Sequence, residues 1–576
     1  MSISSRLILL SVLLPAAACS KRTTGSNSTK TDTDTVTTKV VTPPDPETAK
    51  SIGFFLNEWA PKSFTAGAYT ETGIPASAAV NVTLDASTVV TKISPALFGN
   101  NSNPYMSQMV NQPTLLSHIS KLHPGIIRFP GGNISSVYFW NRAPGNPPAD
   151  APANLLNADG VSSDAGYWYG GNTVDWTLSL SNYYSMLAQT GNQGIITVNY
   201  SYARYGTAND PVAAAAHLAA EWVRYDNGRT KYWEVGNESN GAWQAGYRID
   251  QSQNKDGQPQ LITGELYGRH FKVFADSMHK AAAATGKTIF VGAQLLEKPA
   301  ASWQTQTDQT WNTGVLAQAG NAADFFIVHS YYTPYQTNSS PADILESAHS
   351  VTAEMIQHVS ASAASAGVPM KPLALTEWNI FATGSQQMVS QVSGIHAVMV
   401  LGELLRNKFG MASRWDLANS WDNGNDHGLF SQGEGASGEA RWAPRPAFYY
   451  LYFFQHYLGD RFINSTVSGS TDVESYASTF SSGEAAVTLV NKSSSAQDVQ
   501  LSFKNFIPGS RYYWYELVGG AGNFSRKVLV NGQGPAGEIG GPENYAALKP
   551  YAAAATNGIR VKIPAMGVVC MVIDKK

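Results

Sequence analysis

Two carboxylates in this chain stand where chemistry could be done. Glu238 closes the run Lys231-Tyr-Trp-Glu-Val-Gly-Asn-Glu238, and Glu377 lies within Leu373-Ala-Leu-Thr-Glu-Trp-Asn379. Each belongs to a short apolar, β-prone run and stands beside an aromatic residue or an amide. Barrels of alternating strands and helices build their active sites from the C-terminal ends of several strands. Two carboxylates on different strands can then meet across one pocket, one as proton donor and one as nucleophile, which is what glycoside hydrolysis requires. Two buried carboxylates with no such purpose would be costly to keep.

The elements that must position them follow the same pattern. β-like runs begin at Ala96, Gly125, Gly194, Tyr232, Thr288, Asp324, Leu373 and Ser413, and helical stretches such as Pro211–Trp222 and His270–Lys280 lie between them. Strands alternating with helices imply a parallel sheet, and eight such runs predict an α/β fold, a closed (β/α)8 TIM barrel over residues 93–440. After about residue 441 the texture changes to short strands separated by Gly, Ser and Asn turns. This predicts an appended antiparallel β-sandwich over 441–576. The alternating run from Val80 places residues 51–92 with that sandwich.

The ends and the composition set outer bounds. Arg6, the apolar run Leu7–Leu14 and Ala16-Ala17-Ala18 read as a signal peptide over 1–18. Cys19 follows at once and resembles a bacterial lipobox, so lipidation of Cys19 and an outer-membrane or cell-surface lipoprotein are expected. Residues 19–50, rich in Ser, Thr, Lys and Asp, read as a disordered tether. The membrane is expected to be reached through that lipid anchor only, since no segment is long enough to span. The 576 residues carry a net charge of −3, which argues against a nucleic-acid partner. The 14 Trp and 27 Tyr suit a carbohydrate partner, although core packing accounts for most of them. Phosphate-loop, dinucleotide, zinc-helix and serine-elbow motifs are all missing. No cofactor and no metal are expected, because two carboxylates and water suffice.

Counting strands puts Glu238 at the end of the fourth and Glu377 on the seventh. That order resembles the clan of (β/α)8 retaining glycoside hydrolases. Arg128-Phe-Pro-Gly-Gly-Asn133, Tyr138-Phe-Trp140, Ala220-Glu-Trp-Val-Arg-Tyr225, His329-Ser-Tyr331 and Glu377-Trp-Asn379 are similar to motifs of the family 51 α-L-arabinofuranosidases. The resemblance implies that Glu238 is the acid/base, its pKa raised so that it keeps a proton, and that Glu377 is the ionised nucleophile. It implies Arg128 and Tyr331 as donors beside Glu377, Asn237 on the sugar 2-hydroxyl and Asn133 positioning the ring. His329 is either a substrate contact or a buried hydrogen-bonded residue, and Trp378 and Trp415 each either stack on sugar or pack. One departure leaves the sugar open: after strand one, where the family carries Glu-His, this chain reads Gly99-Asn-Asn-Ser-Asn-Pro-Tyr105. The expected activity is a retaining α-L-arabinofuranosidase acting on plant polysaccharides or oligosaccharides. The alternatives are a hydrolase of β-xylosides, β-glucosides or β-glucuronides, and a non-catalytic surface glycan-binding protein.

Overall fold

The computed structural model describes residues 39–576. The expected signal peptide, Cys19 and most of the tether lie outside the described residues. Within the stretch expected as tether, Val41 and the Asn505 amide exchange two hydrogen bonds, and Asp45 pairs with Lys92 (2.9 Å) and Arg461 (2.7 Å). The chain is therefore fastened to the body from residue 41 onward.

Eight parallel strands close into a barrel: β1 (Gly99–Asn101), β2 (Ile126–Phe129), β3 (Gln193–Val198), β4 (Tyr232–Val235), β5 (Phe290–Gln294), β6 (Phe325–Tyr331), β7 (Leu373–Asn379) and β8 (Met411–Arg414). A helix follows each strand. Five of these helices start on a side chain that accepts an amide of the first turn: Ser179, Asp210, Thr263, Thr305 and Ser340. Such caps each contribute on the order of 1 kcal/mol. β1 begins three residues later than the sequence suggested, because Pro95–Leu97 forms a 3-10 turn held by the Ser94 hydroxyl.

Strand alternation sorts side chains into two populations. Ile126, Ile195, Tyr232, Phe325, Ile327, Ala374 and Met411 point into the barrel, where Phe55 plugs the lower end. Ile127, Ile196, Trp233, Phe326, Val328 and Leu375 face outward beneath the helices. Above the inner apolar layer the same inward positions turn polar, with Arg128, Thr197, Glu234, Thr376 and Ser413 all fully buried.

The rest of the chain is a β-sandwich built on a twelve-stranded sheet around a second apolar core that includes Val82, Leu84, Leu489, Trp514 and Met571. Its long strand Val80–Lys92 comes from before the barrel. It pairs antiparallel with Arg461–Ser468 and parallel with Gln497–Lys504. The sheet is thus mixed rather than purely antiparallel, because a strand delivered from the N-terminal side enters between two C-terminal ones. Among the described residues no helix is long and apolar enough to cross a membrane.

Candidate active site

The site grows out of one irregularity. β7 carries an extra residue relative to both neighbours: Leu375 faces Val328 and Ala412, yet Glu377 faces His329 and Trp378 faces Arg414. Thr376 is the bulged residue. In unbroken alternation from Leu375, Glu377 would fall on the outer face. With the bulge, Thr376 and Glu377 both turn to the barrel interior, and Trp378 turns outward.

Arg128 organises the interior. It is fully buried and spends its donors on four acceptors. Nε reaches Glu234 Oε2 (2.6 Å), and Nη2 reaches Asn237 Oδ1 (2.8 Å). Nη1 reaches both Asn101 Oδ1 (3.1 Å) and Glu377 Oε2 (3.2 Å). A buried guanidinium is tolerable only when so matched. Glu234 also accepts from Thr197 Oγ1 (2.7 Å), and Asn101 Nδ2 is anchored on the carbonyls of Thr376 and Ser413. Because Arg128 only donates, it fixes the Asn237 amide with its oxygen toward the guanidinium. The Asn237 NH₂ is left buried with no partner, a donor waiting for an acceptor.

Glu377 has a second donor in Tyr331, whose hydroxyl lies 2.6 Å from Oε1. The Tyr331 ring is stacked on Phe381 at 4.1 Å. Glu238 stands three residues past β4 in left-handed backbone, φ +43°, a conformation rare for a residue with a side chain. Its Oε1 meets His329 Nδ1 (3.0 Å), and its Oε2 accepts from Trp243 Nε1 (3.1 Å). The other ring nitrogen of His329 meets Thr376 Oγ1 (3.1 Å), and Nδ1 lies 3.7 Å from Glu377. His329 and Tyr331 share one face of β6, and both turn to the carboxylates.

The electrostatics differ from the expectation. Burial pushes Glu238 upward, but the hydrogen bond and charge of His329, with Trp243 and Arg128, outweigh it and hold Glu238 below the usual carboxylate value. Burial raises Glu377, and despite His329, Arg128 and Tyr331 it stays above that value, with the charge of Glu238 adding to the rise. Burial lowers His329, but the two carboxylates outweigh this and raise it. Glu238 is thus shifted down and His329 up, the opposite direction for Glu238 from the one expected. The sequence could not show this, since His329 meets Glu238 only through the fold.

Other expected contacts divide. Asn133 lies just past the Gly131-Gly132 turn and is exposed, its amide oxygen accepting from Gln244 Nε2 (2.8 Å). Both glycines have positive φ, and a Cβ on Gly132 would come within 2.7 Å of the Trp415 ring. The Trp415 ring thus lies against the turn, half-buried. Trp378 does not belong to the pocket. It is 1% exposed and packs against Tyr332 under the helices, because the bulge sends it outward. Asn103, in the loop after β1, donates to Asp416 Oδ2 (2.6 Å). The carboxylate missing from that loop is matched by one arriving after β8. Sequence reasoning missed Glu234, Asn101, Thr376 and Trp243. Glu234 was the most findable, as a carboxylate at an inward position in mid-strand must meet a cation.

Glu238, His329 and Glu377 are groups of the kind that ligate metals. Arg128 already fixes a positive charge 3.2 Å from Glu377, which disfavours a second cation there.

Residues 118–349 match the family model described as alpha-L-arabinofuranosidase 1 domain. Over that stretch the chain is similar to α-L-arabinofuranosidases. It is 25% identical over 350 residues to an intracellular exo-alpha-(1->5)-L-arabinofuranosidase of Streptomyces lividans, covering 55% of this chain and 47% of that protein. The chain thus spans about half the length of that relative. In fold it is similar to the alpha-L-arabinofuranosidase of Thermotoga maritima (16% identity, 86% and 99% of the two chains, TM-score 0.57). It is also similar in fold to a family 44 xyloglucanase of Paenibacillus polymyxa (12% identity, 86% and 99%, TM-score 0.56). The Streptomyces relative and two others, from Halalkalibacterium halodurans and Acetivibrio thermocellus, all carry names beginning with intracellular. This overturns the expectation of an exported lipoprotein at the cell surface. A short apolar run followed by small residues is a weak signal beside relatives named for the inside of the cell.

Proposed function

We propose that this chain is a retaining glycoside hydrolase that removes α-L-arabinofuranosyl groups from plant polysaccharides or oligosaccharides. The observation that carries the reading is the closeness of its two carboxylates. One oxygen of Glu238, one ring nitrogen of His329 and one oxygen of Glu377 lie within 4.8 Å of one another. Retaining glycosidases hold their carboxyl groups about 5–5.5 Å apart, whereas inverting ones leave roughly 6.5–9.5 Å for a water. The spacing favours direct attack by a carboxylate.

In this reading Glu377 attacks the anomeric carbon and forms a glycosyl ester, while the leaving oxygen takes a proton from Glu238. Water then attacks the same carbon, gives its proton to Glu238 and releases Glu377. Arg128 and Tyr331 keep Glu377 oriented and stabilise its charge. His329, 3.0 Å from Glu238, supplies the proton that arms Glu238 and takes it back. The unpartnered Asn237 NH₂ meets the sugar 2-hydroxyl, a bond that strengthens as positive charge develops on the ring. Trp415 forms a wall beside the Gly-Gly turn.

The test is a panel of nitrophenyl glycosides with NMR of the first-formed product. The α-L-arabinofuranoside should turn over fastest, with the product's anomeric configuration retained. Faster turnover of a β-xyloside, β-glucoside or β-glucuronide would move the substrate to another sugar. No turnover of any would leave a glycan-binding protein.

A further inference from the structure

We propose that the β-sandwich helps to set the nucleophile: Arg526, carried on one of its strands, is a positioning residue that acts through a chain of buried charges on Tyr331, and so on Glu377. This rests on the reading of Glu377 as the nucleophile and deepens it. Arg526 begins the sandwich strand Arg526–Val530. Its Nη2 reaches Glu439 Oε1 (2.6 Å) and the carbonyl of Ser437 (2.8 Å). Glu439 Oε2 accepts in turn from Arg445 Nε (3.0 Å), and Arg445 Nη1 pairs with Asp426 Oδ1. The side chains of these four residues are 8% exposed or less. Positive and negative groups alternate along the chain, which runs from the sandwich into the long loop after β8.

The far end of the chain grips the site. Besides Asp426, Arg445 Nη1 donates to the carbonyl of Gly428 (3.3 Å), and the Arg445 amide donates to that of Leu429 (2.9 Å). Arg445 thereby holds both sequence neighbours of His427. The His427 ring stands edge-on to Tyr331 (centroids 5.3 Å, 64°) and to Phe381 (5.7 Å, 71°), the ring on which Tyr331 is stacked. The same loop is tied to the segment carrying Trp415 and Asp416, through Leu429 N to Asp416 O (3.0 Å) and Phe430 N to Leu417 O (2.8 Å). A displacement of Arg445 therefore reaches the ring whose hydroxyl donates to Glu377.

Buried charges are a costly way to join a sandwich to a barrel. Four of them lose their hydration, and apolar side chains of the same volume would hold the two surfaces together at least as well. What the ion pairs add is a fixed geometry. Each carboxylate oxygen must meet its own nitrogen, so the loop has one register against the sandwich. Both guanidiniums also lie over the Trp421 ring, Arg445 at 5.7 Å and Arg526 at 4.7 Å, which limits their swing. None of the four residues is bonded to Glu377. The groups that act on it, His329, Glu238, Arg128, Tyr331 and Asp416, all keep their identity when the chain is cut.

The test is an NMR titration of the Glu377 carboxyl, in protein isotopically labelled at its glutamate side chains, with the signal assigned by its loss in Glu377→Gln. Loosening Tyr331 weakens a donor that favours the ionised form, so Glu377 should titrate at higher pH. Arg526→Met and the near-isosteric Glu439→Gln should each raise its midpoint by about half a pH unit or more. A pure charge effect would move the two in opposite directions, since one variant removes a positive and the other a negative group. Arg526→Lys should restore the wild-type midpoint, because both bonds of Arg526 leave from Nη2 and an ammonium can copy them. In a Tyr331→Phe background neither variant should move the midpoint further, the link being already cut. An unmoved midpoint with only the melting temperature lowered overturns the proposal, as does an undiminished shift in the Tyr331→Phe background. If Arg526→Met does not fold, Glu439→Gln decides. Turnover of the aryl arabinofuranoside by the wild-type chain is scored separately. Turnover with an unmoved midpoint sinks the positioning role alone, and a moved midpoint without turnover sinks the hydrolase reading alone.

Discussion

Tyr331→Phe removes one oxygen and little else. The ring stays stacked on Phe381 at 4.1 Å, so the fold should hold and the melting temperature should hardly move. What is lost is the hydroxyl that donates to Glu377 Oε1 at 2.6 Å. A hydrogen bond to a charged group is worth about 1.5–3 kcal/mol, and this one favours the ionised form. Glu377 already sits above the usual carboxylate value because it is buried beside Glu238. Removing the donor raises it further, by about one to two pH units at ~1.36 kcal/mol per unit. The nucleophile works only when ionised, so activity fails as pH falls through its pKa. The acid limb of the kcat/KM profile on an aryl glycoside should therefore move to higher pH by that amount. If the same bond also stabilises charge in the transition state, kcat at the optimum should drop by about 10- to 150-fold. An unmoved acid limb with full activity would refute the claim that Tyr331 holds the nucleophile's charge. A collapse of the melting temperature would show that the hydroxyl serves the fold instead.

Three further outcomes are expected. Glu377→Ala should abolish turnover on every substrate, whereas Glu238→Ala should be milder on substrates with good leaving groups and be rescued by azide with a glycosyl azide product; equal losses without rescue would mean the two roles are misassigned. Glu234→Ala leaves Arg128 fully buried without its 2.6 Å partner and should cost about 3–5 kcal/mol by urea denaturation; a loss under ~1 kcal/mol would show that Arg128 needs no such match. Gly132→Ala forces a Cβ onto the Trp415 ring in a backbone of φ +57°. It should raise KM for the aryl glycoside in a protein that still melts cooperatively, and an unchanged KM would remove Trp415 from the pocket wall.

Much of the fold was legible because barrel strands are buried on both faces and read as apolar runs. The carboxylates were legible because each follows such a run. What was hidden depends on backbone register. The extra residue at Thr376 decides that Glu377 faces inward and Trp378 outward, yet Leu-Ala-Leu-Thr-Glu-Trp-Asn gives no sign of it, since both residue types are plausible on either face. Glu234 was overlooked beside the more conspicuous Glu238, although alternation from Tyr232 puts it on the inner face. The direction of the Glu238 shift was missed because it hangs on His329, distant in sequence. Trp243 escaped because an exposed tryptophan on a loop has no periodicity to betray it.

The strand Val80–Lys92 is made before the barrel, but its antiparallel partner begins at Arg461 and its parallel partner at Gln497. Roughly 370 residues separate Lys92 from Arg461, which at about 5–20 residues per second of synthesis is on the order of 20–70 s. Through that interval a 13-residue strand with Val80, Val82, Leu84 and Val89 on its buried positions has neither neighbour. Unpaired apolar strands of this kind are sites of aggregation. A growing chain must therefore keep this segment shielded until its last fifth has emerged, and a ribosome stalled between the barrel and residue 461 should yield a nascent chain that depends on chaperones.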